Sequence, residues 1–342
     1  MCSRKKLILL TVLIMLFFII GCVNEKDLTF KSAALITSNE NLSTINASDD
    51  ELLISNVIDL SNKNILMTYD GGYYDLEMDG FLVPSSSGID FKNETGKEIY
   101  ENVVGIINDP PKRSIMDVYH ESKIFINRNE KVMVIYIDGW AWHQYEYLKA
   151  NYQELYLSKF DNFEKALAVY KPVTNSGYAA MVTGQPPYKN GIINRNYREP
   201  KVETIFQVIE KKNKEIVLIE GNSNVINTGI DPILNLDINE NGSNDDEVFK
   251  SAMKHIDSSD YLFLHFHGFD DAGHSYGPYG SKTMDKFFEI DHYIEELSSQ
   301  WEGKIIVTTD HGMHATENGG SHGDFRYEDL IVPFGILEGG QN

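Results

Sequence analysis

Cysteine is almost missing from this chain: Cys2 and Cys22 are the only two, and both fall within the first 22 residues. Beyond Cys22 no disulfide framework can form, and no thiolate is available as a nucleophile or zinc ligand. Positive charge is scarce as well. Lysine and arginine number 30 against 51 aspartates and glutamates, a formal net charge of -21, which argues against nucleic acid or an anionic lipid surface as a direct partner. An anionic substrate is still compatible, because a bound metal reverses the field locally. Internal repeats are absent, and so are low-complexity tracts outside residues 23–50.

The apolar run from Leu7 to Ile20 is short for a membrane span and has the length of a signal-peptide core, preceded by Arg4, Lys5 and Lys6. It ends in Ile19-Ile20-Gly21-Cys22. That ending resembles a bacterial lipobox, in which Cys22 becomes a lipidated N-terminus; an uncleaved signal anchor is the alternative. The expected organisation is a lipoprotein signal over 1–22 and a flexible tether over 23–50, rich in Ser, Asn, Thr and charge. A small β-containing accessory region over 51–123 follows, then a catalytic domain over 124–342. The mature protein is expected at the extracytoplasmic face of a bacterial cell membrane, held there by its lipid.

After about Ile124 the pattern is one of apolar strand candidates separated by helix-length stretches. The runs "VMVIYI" (132–137), "EIVLIE" (215–220), "YLFLHF" (261–266), "KIIVTT" (304–309) and "LIVPFGIL" (330–337) are continuous and rich in β-branched or aromatic residues, as strands buried on both faces should be. "VETIFQVIEKKNK" and "SKTMDKFFEIDHYIEELSSQW" carry helical spacing. The expected fold class is α/β, with a doubly wound, mostly parallel sheet between helices and a small N-terminal β-containing annex.

Acids and imidazoles collect where these strands end. Asp138 follows the first run, Asp310 and His311 follow "KIIVTT", and His267, Asp270 and His274 lie just beyond "YLFLHF". Ligands of open α/β sheets bind outside the carboxyl ends of the strands, so separate strands deliver these groups to one edge. Asp270 and His274 are four apart and share a face of a helical turn. His322, after a Gly pair, completes with them a three-ligand N/O set with an open position. Asp138, Asp310 and His311 form a second set, with room for the hydroxyl of Thr174. In "KPVTNSGYAAMVTG" (171–184) no histidine or carboxylate stands beside Thr174. Metal coordination, rather than a base, would therefore activate it, and two such metals would hold the attacking and leaving oxygens of a phosphoryl transfer. Taken singly, Asp138 also suits a helix cap, and Thr174 an N-cap. Seven of the ten histidines, however, fall between 265 and 322.

The motifs "IDGW", "VTNSGYAAMVTGQPPYKNGI", "FDDAGHSYGP" and "TTDHGMHATENGGSHG" resemble, in order, those of the alkaline phosphatase superfamily, in its type I phosphodiesterase/nucleotide pyrophosphatase branch. The resemblance spans roughly 130 to 338. It implies Asp138, Thr174, Asp310 and His311 around one zinc, Asp270, His274 and His322 around the other, and a phosphothreonine intermediate on Thr174. Where that branch has an asparagine three residues after the nucleophile, this chain has Gly177, so Asn175 or a backbone N–H is expected to hold the phosphoryl oxygens. Tyr188, Trp140 and Trp142 are candidates for stacking on a leaving group or for packing the rim. His265 is expected to be a strand residue bonded to backbone, and His314 to be exposed or to support a ligand.

The function expected from these residues is metal-dependent hydrolysis of small phosphate esters, diesters or pyrophosphates, by two divalent ions whose carboxylate and imidazole ligands suit zinc. Phosphomonoester hydrolysis and phosphoethanolamine-type transfer are the alternatives, with a metal-stabilised surface binding protein as the non-enzymatic one. The lack of a Cys/Ser-x-Pro-x-Arg context at Thr174 argues against a sulfatase.

Overall fold

The computed structural model describes residues 32–37, 41–45, 51–96 and 99–340. The expected signal over 1–22 and Cys22 lie outside the described residues. An eight-stranded sheet forms the centre. In chain order its strands are β1 (Arg113–Ser114), β2 (Val132–Ile137), β3 (Glu164–Leu167), β4 (Ile216–Glu220), β5 (Ile233–Leu234), β6 (Tyr261–Phe266), β7 (Lys304–Thr308) and β8 (Ile331–Glu338). Across the sheet they run β1-β3-β8-β7-β2-β6-β4-β5. Strands β7, β2, β6, β4 and β5 are parallel throughout, and β1 is parallel to β3. Strand β8 is antiparallel to both of its neighbours, β3 and β7.

The sheet is mostly parallel, as expected, and the chemistry of its strands explains why. Every residue of β2 and of β6 is buried, because helices cover both faces and the crossovers that join parallel strands supply those helices. The principal helices are α1 (Asp117–Asn127), α2 (Trp142–Asn151), α3 (Thr174–Thr183), α4 (Ile205–Glu210), α5 (Asp245–His255), α6 (Gly268–Tyr276) and α7 (Ser281–Gln300). Helix α7 shows how they dock: Met284, Phe287, Ile290, Ile294 and Leu297 are buried, one stripe at three- and four-residue spacing.

The annex before this sheet is also built from strands. A five-stranded sheet runs Leu42–Ile45, Ala33–Thr37, Val103–Asn108, Asn64–Thr68, Tyr73–Asp75, and a four-stranded sheet runs Leu52–Leu53, Gly80–Pro84, Ile89–Asn93, Ile99–Tyr100. Successive residues of a strand face opposite sides. Leu66 and Ile106 accordingly join a small core with Ile54, Leu82 and Phe91, while Ile65, Met67 and Ile107 join the main core.

Two expected boundaries need correction. The stretch expected to be a tether contains the strands Ala33–Thr37 and Leu42–Ile45; the first pairs in parallel with Val103–Asn108. That pairing partner is some seventy residues away, so local composition carries no trace of it. The boundary near 123 also falls inside α1, and β1 already belongs to the large sheet.

Candidate active site

The carboxyl ends of β2, β6 and β7 bring together the residues expected there. Asp138 is fully buried directly after β2, in line with His267 after β6, because the parallel register pairs Ile137 with Phe266. Its Oδ2 accepts from His267 Nδ1 at 2.7 Å and from His265 Nε2 at 3.0 Å. His265 is thus satisfied by Asp138, contrary to the expected backbone bond, and it lies flat on Tyr136 with ring centroids 4.1 Å apart. Asp310 and His311, just past β7, are both fully buried. His311 Nε2 lies 3.1 Å from Asp310 Oδ2 and 3.5 Å from Asp138 Oδ1.

Helix α6 places Asp270 and His274 on one face, with His274 Nε2 3.3 Å from Asp270 Oδ2. Its start is fixed by the buried Asp245, whose Oδ1 accepts from the backbone N–H groups of His267 and Gly268. His322 Nε2 lies 3.9 Å from Asp270 Oδ1, and its ring stacks on His311 at 3.7 Å. The three imidazoles expected as ligands share one arrangement. Nδ1 of His274, His311 and His322 faces a backbone carbonyl, of Gly320, Gly312 and Pro172 respectively. A carbonyl only accepts, so Nδ1 carries a proton and Nε2 is the nitrogen turned to the site, the one that would give its lone pair to a metal once any proton on it is lost.

Thr174 is the first residue of α3, preceded by Val173 in extended conformation. Its hydroxyl therefore stands where the free N–H groups of a helix start favour an anion. All ten residues of α3 are buried, which fixes Thr174 rigidly. Gly177, expected to help bind substrate, packs instead. A Cβ there would stand 2.4 Å from the Asp310 carbonyl oxygen and 2.6 Å from Asp310 Cβ, so the glycine lets α3 pack against Asp310. Asn175 lines the cleft, but its amide Nδ2 donates to the carbonyls of Tyr197 and Val225. Tyr188 leaves the site altogether, packing on Tyr74 with its N–H on the Gly71 carbonyl. Trp140 is fully buried, and His314 is buried on Asp329 at 2.7 Å.

Three carboxylates crowded in a dry site cannot all ionise freely. Burial, with the charge of Asp138, pushes the Asp310 carboxyl up to about 7. Burial also opposes the charged form of Asp138, but the charge of His267 and bonds from His265 and His267 hold it well below the usual carboxylate range. Donation to the Asp270 carboxylate raises His274 to about 9, whereas burial and the charge of His311 lower His322 to about 3.

Four buried atoms lack any hydrogen-bond partner here: Asp138 Oδ1, Asp270 Oδ1, Asp310 Oδ2 and His311 Nε2. Orphaned acceptors in one spot call for a cation. Asp138, Asp310 and His311 offer ligand atoms within 4.8 Å of one another, as do Asp270, His274 and His322. His267 extends the cluster, in one group with Asp138 and His265 and in another with Asp270 and Asp271. The donor set fits two divalent cations.

Comparison with known proteins agrees with this chemistry. Residues 234–332 match the family model described as type I phosphodiesterase / nucleotide pyrophosphatase. Over that stretch the chain is similar to type I phosphodiesterases and nucleotide pyrophosphatases. The matched stretch contains Asp270, His274, Asp310, His311 and His322. Among curated proteins, GPI ethanolamine phosphate transferase 1 of Candida glabrata is 39% identical over 110 residues, 30% of this chain and 11% of the relative. The catalytic subunit of human GPI ethanolamine phosphate transferase 3 is 34% identical over 91 residues, 24% of this chain and 8% of that protein. The chain thus spans about a tenth of the length of these relatives. Of solved structures, phosphonoacetate hydrolase from Sinorhizobium meliloti 1021 in complex with phosphonoformate aligns with a TM-score of 0.44 at 18% identity, over 54% of this chain and 56% of that one.

One expectation falls here. The curated relatives are eukaryotic transferases, from Candida glabrata, Yarrowia lipolytica and Homo sapiens, which points away from a bacterial lipid-anchored protein. Sequence reasoning brought His267 to this edge without giving it a role, read His265 as bonded to backbone, and missed Arg195 and Arg198. For His267 a signal existed, since the two parallel runs, aligned at their ends, set Asp138 beside it.

Proposed function

We propose that this protein cleaves small phosphate esters, diesters or pyrophosphates, by attack of Thr174 on phosphorus. The observation that carries the reading is the convergence of four orphaned buried ligand atoms beside a hydroxyl at a helix start. Asp138, Asp310 and His311 with Thr174, and Asp270 with His274 and His322, would hold two divalent cations, zinc by ligand type. Bound there, the ions would lower the pKa of the attacking hydroxyl and offset charge on the phosphoryl oxygens. The Thr174 Oγ–P bond forms as the bond to the leaving oxygen breaks, and the leaving oxygen takes up a proton. Water then cleaves the phosphothreonine, returning Thr174 and releasing the phosphate product. His265 and His267 keep Asp138 ionised and aimed, and burial of α3 keeps Thr174 from swinging away.

Transfer to a hydroxyl acceptor is a second reading, favoured by the transferases among the relatives. A paired assay of bis-p-nitrophenyl phosphate and p-nitrophenyl phosphate, after chelation and after zinc is restored, tests the first. Zinc-restored diester cleavage that exceeds monoester cleavage is expected. Cleavage that survives exhaustive chelation would sink the two-metal mechanism. Adding an alcohol acceptor and analysing products tests the second, and water as sole acceptor would discard it.

A further inference from the structure

The cleft in front of Thr174, about 270 Å³, is lined by His267, Asp270, Asp271 and His274 together with Arg195 and Arg198. Arg195 also lines the adjoining cleft of about 410 Å³, with Lys171. In a chain with 51 acids against 30 bases, surface arginines ordinarily find carboxylates. Among the described residues, neither Arg195 nor Arg198 forms an ion pair. Arg198 Nη1 donates to the Asn224 carbonyl at 2.9 Å, and Arg195 Nη2 donates to the bare Nε2 of His322 at 2.9 Å.

The segment that carries them is built onto the nucleophile. Asn175, next to Thr174, donates to the Tyr197 carbonyl at 3.3 Å and to the Val225 carbonyl at 3.2 Å. Asn227 ties the same two loops, its N–H on the Arg198 carbonyl and its amide on Glu199. The neighbour of the attacking hydroxyl therefore sets where both guanidinium groups stand. A guanidinium is a planar fork that grips phosphate or carboxylate through two parallel bonds.

We propose that Arg195 and Arg198 form a recognition arm for a second, non-reacting anionic group, so that preferred substrates carry a further phosphate or carboxylate beyond the bond that breaks. The proposal rests on the reading that Thr174 attacks phosphorus in this cleft. It departs from what the ethanolamine phosphate transferases among the relatives would suggest, because two guanidiniums with no carboxylate partner repel an ammonium group. Both arginines are exposed, so together they select on the order of tenfold rather than absolutely.

Four p-nitrophenyl phosphodiesters test it, alike except that the other ester arm ends in phosphate, carboxylate, a neutral amide or an ammonium. Wild type is expected to favour the anionic arms over the neutral one by on the order of tenfold in kcat/KM, mainly through KM. The ammonium arm should come last, and the phosphate and carboxylate arms show which anion is the better fit. R195Q/R198Q should bring the anionic-to-neutral ratio close to one. R198Q, which touches no ligand residue, should lower the ratio alone, and metal analysis of each variant separates this from damage at His322. A ratio unchanged in the double variant, or a wild-type preference for ammonium, overturns the proposal. Binding is read apart from turnover by calorimetry of pyrophosphate against methylphosphonate on Thr174→Ala protein with and without R195Q/R198Q. Silence in every turnover assay would defeat the hydrolase reading alone. Equal affinity for the two anions with both arginines present would defeat the arm.

Discussion

The reactivity proposed for Thr174 depends on what surrounds it, and single side chains around it make separable predictions. Thr174→Ala removes the proposed nucleophile and leaves the buried carboxylates in place, so turnover should fall by at least about a thousandfold. Bound metal, measured by elemental analysis, should be unchanged. Gly177→Ala pushes a methyl against the Asp310 backbone. Overpacking there should cost about 1–3 kcal/mol of stability in denaturant unfolding and weaken metal binding at Asp310. His267→Ala leaves Asp138 with His265 as its sole imidazole donor, and zinc affinity should drop about tenfold to a hundredfold in a competition titration. At this scale the sequence was a good guide to which acids and imidazoles meet and a poor one to what holds them in place. Asp138, Asp270, His274, Asp310, His311 and His322 stand at strand ends or at helical spacing, which a sequence displays. The link from Asn175 to Tyr197 and Val225 is set by loop packing, which it does not.

Helices and strands were legible wherever apolar residues run together, and obscure where pairing alone makes the element. Strand β3 reads "EKAL", a sequence with helical leanings that becomes a strand because β8 and β1 lie on either side of it. The parallel strand at Ala33–Thr37 is another such case. Helix α7 supplies a prediction at this scale through Asp291, whose buried carboxylate accepts from the N–H groups of Tyr156 at 2.7 Å and Leu157 at 2.9 Å. Burial outweighs these two donors and raises the group to about 6. The folded state then binds this proton more tightly than the unfolded chain does. The stability this provides is complete below about pH 4 and is lost as pH rises through 6, by about 3 kcal/mol at most. Asp291→Asn should remove that slope from the stability-versus-pH curve, at about 1 kcal/mol for the weakened acceptor pair.

For the whole molecule, the cations proposed at the site act as a staple between β2, β6, β7 and α3. Chelation should lower the melting temperature by on the order of 5–10 °C, and added zinc should restore it. An unchanged melting curve would mean the carboxylates tolerate one another unaided. The sheet order carries one more consequence. Strand β8 is the last of the eight in sequence, yet it lies inside the sheet between β3 and β7. As the polypeptide leaves the ribosome, the strand leading to Thr174 has only the two-residue β1 to pair with until residues 331–338 emerge. Thr174 and the acids and imidazoles at the ends of β2, β6 and β7 are therefore held apart until β8 has been made, so a chain cut before residue 331 should lack the assembled cluster.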